Sequence, residues 1–177
     1  MSKLSVLFVA LFFVGCATAP PDLFVVSPDQ LQNRQLETRR YDGIKEGDLI
    51  AANASVLQDL GFNLENSETR LGVLTASKQR DATDGWEIAG KVLISLFFRI
   101  SVPYGKDQTI RVALVIRPVN DSEGNAIAGS HFVRVTFQRL VRRSDNSVVA
   151  ETVREPELYQ EFFERVSKSV FLEAQKV

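Results

Sequence analysis

The sequence predicts an α+β fold: a two-layer sandwich in which an antiparallel sheet carries two main helices on one face. Two stretches, "TIRVALVIRPV" (Thr109 to Val119) and "HFVRVTFQRLVRR" (His131 to Arg143), alternate apolar and polar residues as half-buried strands do. Two others, "GDLIAANASVLQDLG" (Gly47 to Gly61) and "PELYQEFFERVSKSVFLEAQ" (Pro156 to Gln175), space their apolar residues as helices do. The composition supports a packed core, with 45% hydrophobic and 24% charged residues in a chain of 177. No internal repeat interrupts this order.

The chain opens with Lys3 and an apolar run from Leu4 to Val14, broken only by Ser5. A spanning helix needs about 20 apolar residues, so this run is too short and fits the apolar part of a secretory signal peptide. The sole cysteine, Cys16, follows in "FVGC" (Phe13 to Cys16). That tetrad resembles the lipobox of bacterial lipoprotein precursors, with Phe13 where leucine is usual. The resemblance implies cleavage between Gly15 and Cys16 and lipidation of Cys16. One acyl chain holds a protein only marginally, since each buried methylene contributes about 0.8 kcal/mol, and two or three hold it firmly. An ordinary signal peptide with an incidental cysteine is the plainer alternative. In the lipoprotein family an Asp after the cysteine retains the protein in the inner membrane. Ala17 stands there, which implies an outer-membrane anchor facing the periplasm. Residues 1–15 are thus expected as signal peptide and 16–32 as lipidated cysteine and flexible tether. A single periplasmic α+β domain is expected over 33–177. The tether reading rests on "ATAPPDLFVVSPDQ" (Ala17 to Gln30), with three prolines and no period.

Within the domain, "RQLETRRYD" (Arg34 to Asp42) is expected as the first strand. The helix over Gly47 to Gly61 has Leu49, Ala52, Val56 and Leu60 on one face, Asp48 as its cap and Gly61 just past its end. "FNLENSETRLGVLTASK" (Phe62 to Lys78) predicts two strands around a polar turn at Asn66 to Thr69. In the next strand Ile110, Val112, Leu114 and Ile116 share the inner face, and Arg111 and Arg117 lie on the other. Val133, Val135 and Phe137 point inward from the strand after it. "SDNS" (Ser144 to Ser147) turns the chain into "VVAETV" (Val148 to Val153) as a hairpin. Pro156 suits the first turn of the last helix, whose stripe of Tyr159, Phe162, Phe163, Val166 and Val170 faces the sheet.

The run from helix through "LGF" and strand to "LGVL" (Gly47 to Lys78) resembles periplasmic lipoprotein domains of the helix-grip type, such as those of the BamC accessory lipoproteins. The chain from Cys16 onward also looks like a group of uncharacterised proteobacterial lipoproteins. These resemblances imply location and fold, and they rest on no catalytic motif.

No catalytic constellation is expected. His131 is the one histidine, read as an edge-strand or loop residue rather than a triad base, and no G-x-S-x-G elbow accompanies it. One histidine and one cysteine cannot supply a zinc site. Asp81, Asp84 and Glu87 in "RDATDGWE" lack the spacing of a calcium loop and read as a solvated loop. No phosphate-binding glycine loop follows a strand, so neither metal nor cofactor is expected. Lys3 is the only charge before Gly15, so the rest has one fewer basic residue than the chain's 21, against 22 acidic ones. That balance argues against a nucleic-acid partner. Arg134, Arg139, Arg142 and Arg143 around one hairpin offer either an anionic contact or a solvated strand face that resists stray pairing.

The most apolar stretch after the leader is "WEIAGKVLISLFFRISVPYG" (Trp86 to Gly105). Either it is core, or it is a contact surface using Trp86, Val92, Leu96, Phe97, Phe98 and Tyr104. The functional expectation is a non-enzymatic envelope lipoprotein, held to the membrane by its N-terminal lipid and working as an accessory or structural subunit through an envelope protein partner. The alternative is a binding module for a lipid, peptidoglycan fragment or other small ligand, gripped between the last helix and the sheet.

Overall fold

A computed structural model of the chain describes residues 27–79, 108–142 and 146–174. The chain divides into two units, Met1–Leu31 and Gln32–Val177. The elements are α1 (Pro28–Glu37), β1 (Thr38–Asp42), α2 (Glu46–Asp59), β2 (Asn63–Glu68), a 3-10 turn (Thr69–Leu71), β3 (Val73–Gln79), β4 (Gln108–Asn120), β5 (Ala126–Arg142), β6 (Val148–Thr152) and α3 (Pro156–Ala174). They form an α+β fold with one six-stranded antiparallel sheet, as the alternation of β4 and β5 predicts.

The sheet runs β1-β5-β4-β3-β2, with β6 also on β5. β5 is long enough to pair with two short strands along one side: β1 against Ser130–Arg134 and β6 against Gln138–Arg142. The register sets Leu74, Leu114 and Val135 in one cross-strand row and Ala76, Val112 and Phe137 in the next, all fully buried. α2 and α3 cover this inner face. Leu49, Val56, Leu57 and Leu60 come from α2, and Leu158, Tyr159, Phe162, Phe163 and Val166 from α3. Each such side chain contributes about 1.5–3 kcal/mol on burial. The two helices run in opposite directions. α2 begins beside Gly72 and ends where Lys78 Nζ donates to Leu60 O. α3 begins beside Val153 and passes Tyr41, whose hydroxyl donates to Phe163 O.

Local chemistry corrects three expectations. Residues 28–32 were expected in a flexible tether and 34–37 in a strand, yet both are helical. Ser27 Oγ accepts the Gln30 N–H at 3.2 Å and Gln30 Oε1 accepts the Ser27 N–H at 3.3 Å, a reciprocal capping box with Pro28 in the first helical position. The helix formers of "QLQNRQLE" then carry the turn to Glu37, so β1 starts only at Thr38. Asp48 does not cap α2. Lys45 holds the cap position without a side-chain bond, and Glu46 and Asp48 sit in the first turn, where carboxylates oppose the helix dipole. The turn between β2 and β3 lies at Thr69–Gly72 rather than Asn66–Thr69. Gly72 determines it: its φ is +63°, and a Cβ there would stand 2.3 Å from Ile116 O. Gly61, also left-handed at φ +75°, ends α2 as expected.

Candidate functional site

Three places in the described residues merit a chemical reading: the space between α3 and the sheet, a groove beside it, and the sheet face that carries neither α2 nor α3.

The helical stripe of α3 brings Tyr159, Phe162 and Phe163 over Phe137 of β5. The ring pairs meet edge to face, with centroids 5.4 Å apart for Phe137 and Tyr159, 5.5 Å for Phe137 and Phe162, and 5.6 Å for Phe162 and Phe163. All four rings are 0–1% exposed. Tyr159 Oη donates to Val153 O at 2.8 Å, fastening α3 to the chain leaving β6. Burial pushes this phenol up to about 12, against the lowering effect of a hydrogen bond with the Phe137 backbone. Burial also raises Tyr41, more than its hydrogen bond with Ser167 lowers it. Aromatic side chains thus occupy the space between α3 and β5 around Phe137.

Beside this core a groove of about 310 Å³ opens between Gln35, Leu36 and Arg39 on one side and Pro156, Gln160 and Glu164 on the other. The Arg39 guanidinium lies 5.2 Å from the Phe163 ring centroid, a cation–π contact. Gln160 Nε2 donates to Glu164 Oε1 at 3.0 Å. The groove offers one cation, two amides and one carboxylate, a set that suits a small polar ligand. Its walls lie more than a hundred residues apart in sequence, so no local pattern announced it.

The arginines expected as one cluster on a hairpin are separated by strand parity. Arg134 faces outward, and its Nε and Nη2 donate to Glu37 Oε2 at 3.0 and 2.8 Å. Glu37 is buried, so this pair is anchored rather than loose at the surface. Arg139 faces inward, is buried, and pairs with Glu151 across the β5–β6 ladder. Arg142 pairs with Val148 at the strand end, and Arg143 lies outside the described residues. On the outward face Arg40 Nε donates to Asp42 Oδ1 at 2.9 Å, and Ser130 Oγ donates to the same oxygen at 2.6 Å. The Ser130 bond first, and Arg40 second, hold the Asp42 carboxyl below its usual range. Arg117 lies 5.3 Å above the Phe132 ring centroid.

His131 is neither an edge-strand nor a loop residue. It sits in β5 between Tyr41 of β1 and Pro118 of β4, 8% exposed, and its Nδ1 makes no hydrogen bond. β5 extends back to Ala126, which places His131 inside a ladder rather than at a strand start. Among the described residues no group of three or more His, Cys, Asp or Glu side chains could hold a metal ion. Nor is any helix among them long and apolar enough to cross a membrane. Gly15, Cys16, the carboxylates Asp81, Asp84 and Glu87, and the contact candidates Trp86, Val92, Leu96, Phe97, Phe98 and Tyr104 lie outside the described residues. No protein-family model matches the chain, and a search of curated proteins returns no match.

Proposed function

We propose that the protein is a non-enzymatic, lipid-anchored envelope component that acts as an accessory or structural subunit through protein contacts. The observation that carries this reading is the filled interior. A gripped ligand needs room between α3 and the sheet, and Phe137, Tyr159, Phe162 and Phe163 occupy that room with edge-to-face contacts. The chemistry then belongs to surfaces. The address rests on "FVGC" and Ala17, which fit a lipidated Cys16 at the outer membrane, facing the periplasm.

The test joins address to contact. In cells fed a labelled fatty acid, the chain takes up label and, after chemical cross-linking, is recovered in discrete adducts with other envelope proteins. Cys16→Ser keeps its leader, takes up no label and loses those adducts. Normal labelling of that variant, or a wild-type chain recovered only as monomer, overturns the proposal.

A second reading, a module for a peptidoglycan fragment or other small ligand, is favoured by the groove at Arg39 and Gln160. It predicts saturable binding of soluble muropeptides that Arg39→Ala abolishes. Identical titrations for wild type and variant remove it.

A further inference from the structure

A two-layer sandwich leaves one sheet face without a helix layer, and alternate residues on that face are ordinarily polar. Here the middle of the central strand departs from that rule. The outward residues of β4 include Arg111, Ala113, Val115 and Arg117, all exposed, with Val115 at 41%. The register sets Arg40, Phe132 and Arg117 in one row across β1, β5 and β4, and Thr38, Arg134 and Val115 in the next. Arg111 and Arg117 therefore flank Ala113 and Val115 along β4, with Arg134 beside Val115 and Arg40 in the row of Arg117. The carboxylates bound to them, Asp42 and Glu37, are already engaged by Arg40 and Arg134. Neither Arg111 nor Arg117 forms an ion pair among the described residues. Among the described residues, a chain with a net charge of only −1 thus presents Arg111 and Arg117 on this face outside any ion pair.

We propose that this face docks an acidic segment of a partner protein, whose carboxylates meet Arg111 and Arg117 while an apolar side chain rests on Ala113 and Val115. Charge complementarity selects that occupant, because a second copy in a two-fold pair would bring the same arginines against each other. The two arginine positions also stand about 20 Å apart along one strand, the rise of six extended residues. That spacing fits an elongated protein segment better than a point anion. The inference rests on the proposed function for the existence of a protein partner and adds where it binds and with what chemistry.

The test uses the full chain in intact cells, with a photo-reactive phenylalanine analogue in place of Ala113 or, as a control, of exposed Gln58 on α2. Irradiation from position 113 gives an adduct with a protein, and mass spectrometry maps the joined segment of that protein as acidic. Arg111→Glu with Arg117→Glu lowers the adduct about tenfold or more while the melting temperature stays within a few degrees. If that pair unfolds the domain, Arg111→Gln with Arg117→Gln lowers the adduct less but in the same direction. An adduct to residues 80–107 of the same chain, to a second copy or to phospholipid overturns the inference. So does an adduct indifferent to the charge changes, or none at all from position 113. Protein adducts from position 58 alone remove this docking face and leave the proposed function standing. Silence from both positions removes this docking face, and the proposed function falls with it only if the wild-type chain also gives no cross-linked adducts.

Discussion

At the scale of single residues, Tyr159 joins packing to titration. Its ring lies against Phe137, and its hydroxyl satisfies the Val153 carbonyl where the chain leaves β6. Burial moves the phenol from an ordinary 10.0 to about 12. The unfolded chain then releases this proton near 10.0 while the folded chain keeps it, so the stability contributed by the neutral phenol is complete below 10.0. That stability is lost as pH rises through the interval to about 12. Tyr41, also raised by burial, acts in the same direction. The urea midpoint should therefore fall as pH passes from below 10.0 toward 12. Tyr159→Phe should already be about 1–3 kcal/mol less stable at neutral pH, because the Val153 carbonyl loses its donor. Its further fall with pH should be shallower, since only Tyr41 of the pair remains. Parallel pH profiles for wild type and variant would show that Tyr159 ionises freely in the fold.

At the scale of elements, the last helix is the clearest case of a sequence stating its own packing. Tyr159, Phe162, Phe163 and Val166 recur at helical spacing, and all four are at most 1% exposed. Phe162→Ala should cost about 3–5 kcal/mol, because the ring lies among Phe137, Phe163 and the helix itself, with little freedom to collapse. An unchanged denaturant midpoint would place that ring elsewhere. β4 and β5 were legible for a related reason: each has one buried face, and the period of two follows directly from burial. Arg111 and Arg117 were likewise readable as outward. The first helix was not legible, since its start depends on a capping box between Ser27 and Gln30 inside a proline-bearing stretch that resembles a tether. The β2–β3 turn was misplaced because its position depends on Gly72 approaching Ile116 of another strand, a contact that no local window contains. The groove escaped for the same reason, as Arg39 and Gln160 meet only after the sheet has formed. Arg134 and Arg139 looked like one basic cluster, and only their odd spacing sends them to opposite faces.

At the scale of the whole molecule, the sheet's connectivity turns an ambiguity of composition into a clean experiment. Residues 80–107 join β3 to β4, and those strands are antiparallel neighbours. Gln79 pairs with Thr109 at the end of the ladder, so the chain leaves the sheet and re-enters it at adjacent points, about 5 Å apart. No distance has to be spanned, and a two-residue turn of the Asn-Gly kind can close the same ladder. Loop-closure entropy favours the shorter connection by about 2 kcal/mol, since the cost grows only with the logarithm of loop length. If Trp86, Val92, Leu96, Phe97, Phe98 and Tyr104 were core, their removal would outweigh that gain, because each buried side chain contributes about 1.5–3 kcal/mol. If instead they serve contact, the core loses nothing with them. Replacing residues 80–108 by a two-residue turn, which keeps Gln79 opposite Thr109, should then leave a cooperative melt within a few degrees of the parent. It should also keep the far-ultraviolet spectrum expected of a six-stranded sheet with helices, and lose part of the envelope adducts. A variant that fails to melt cooperatively would assign the segment to the core. One that melts normally and keeps every adduct would assign it neither role and leave the Arg111–Arg117 face to account for the contacts.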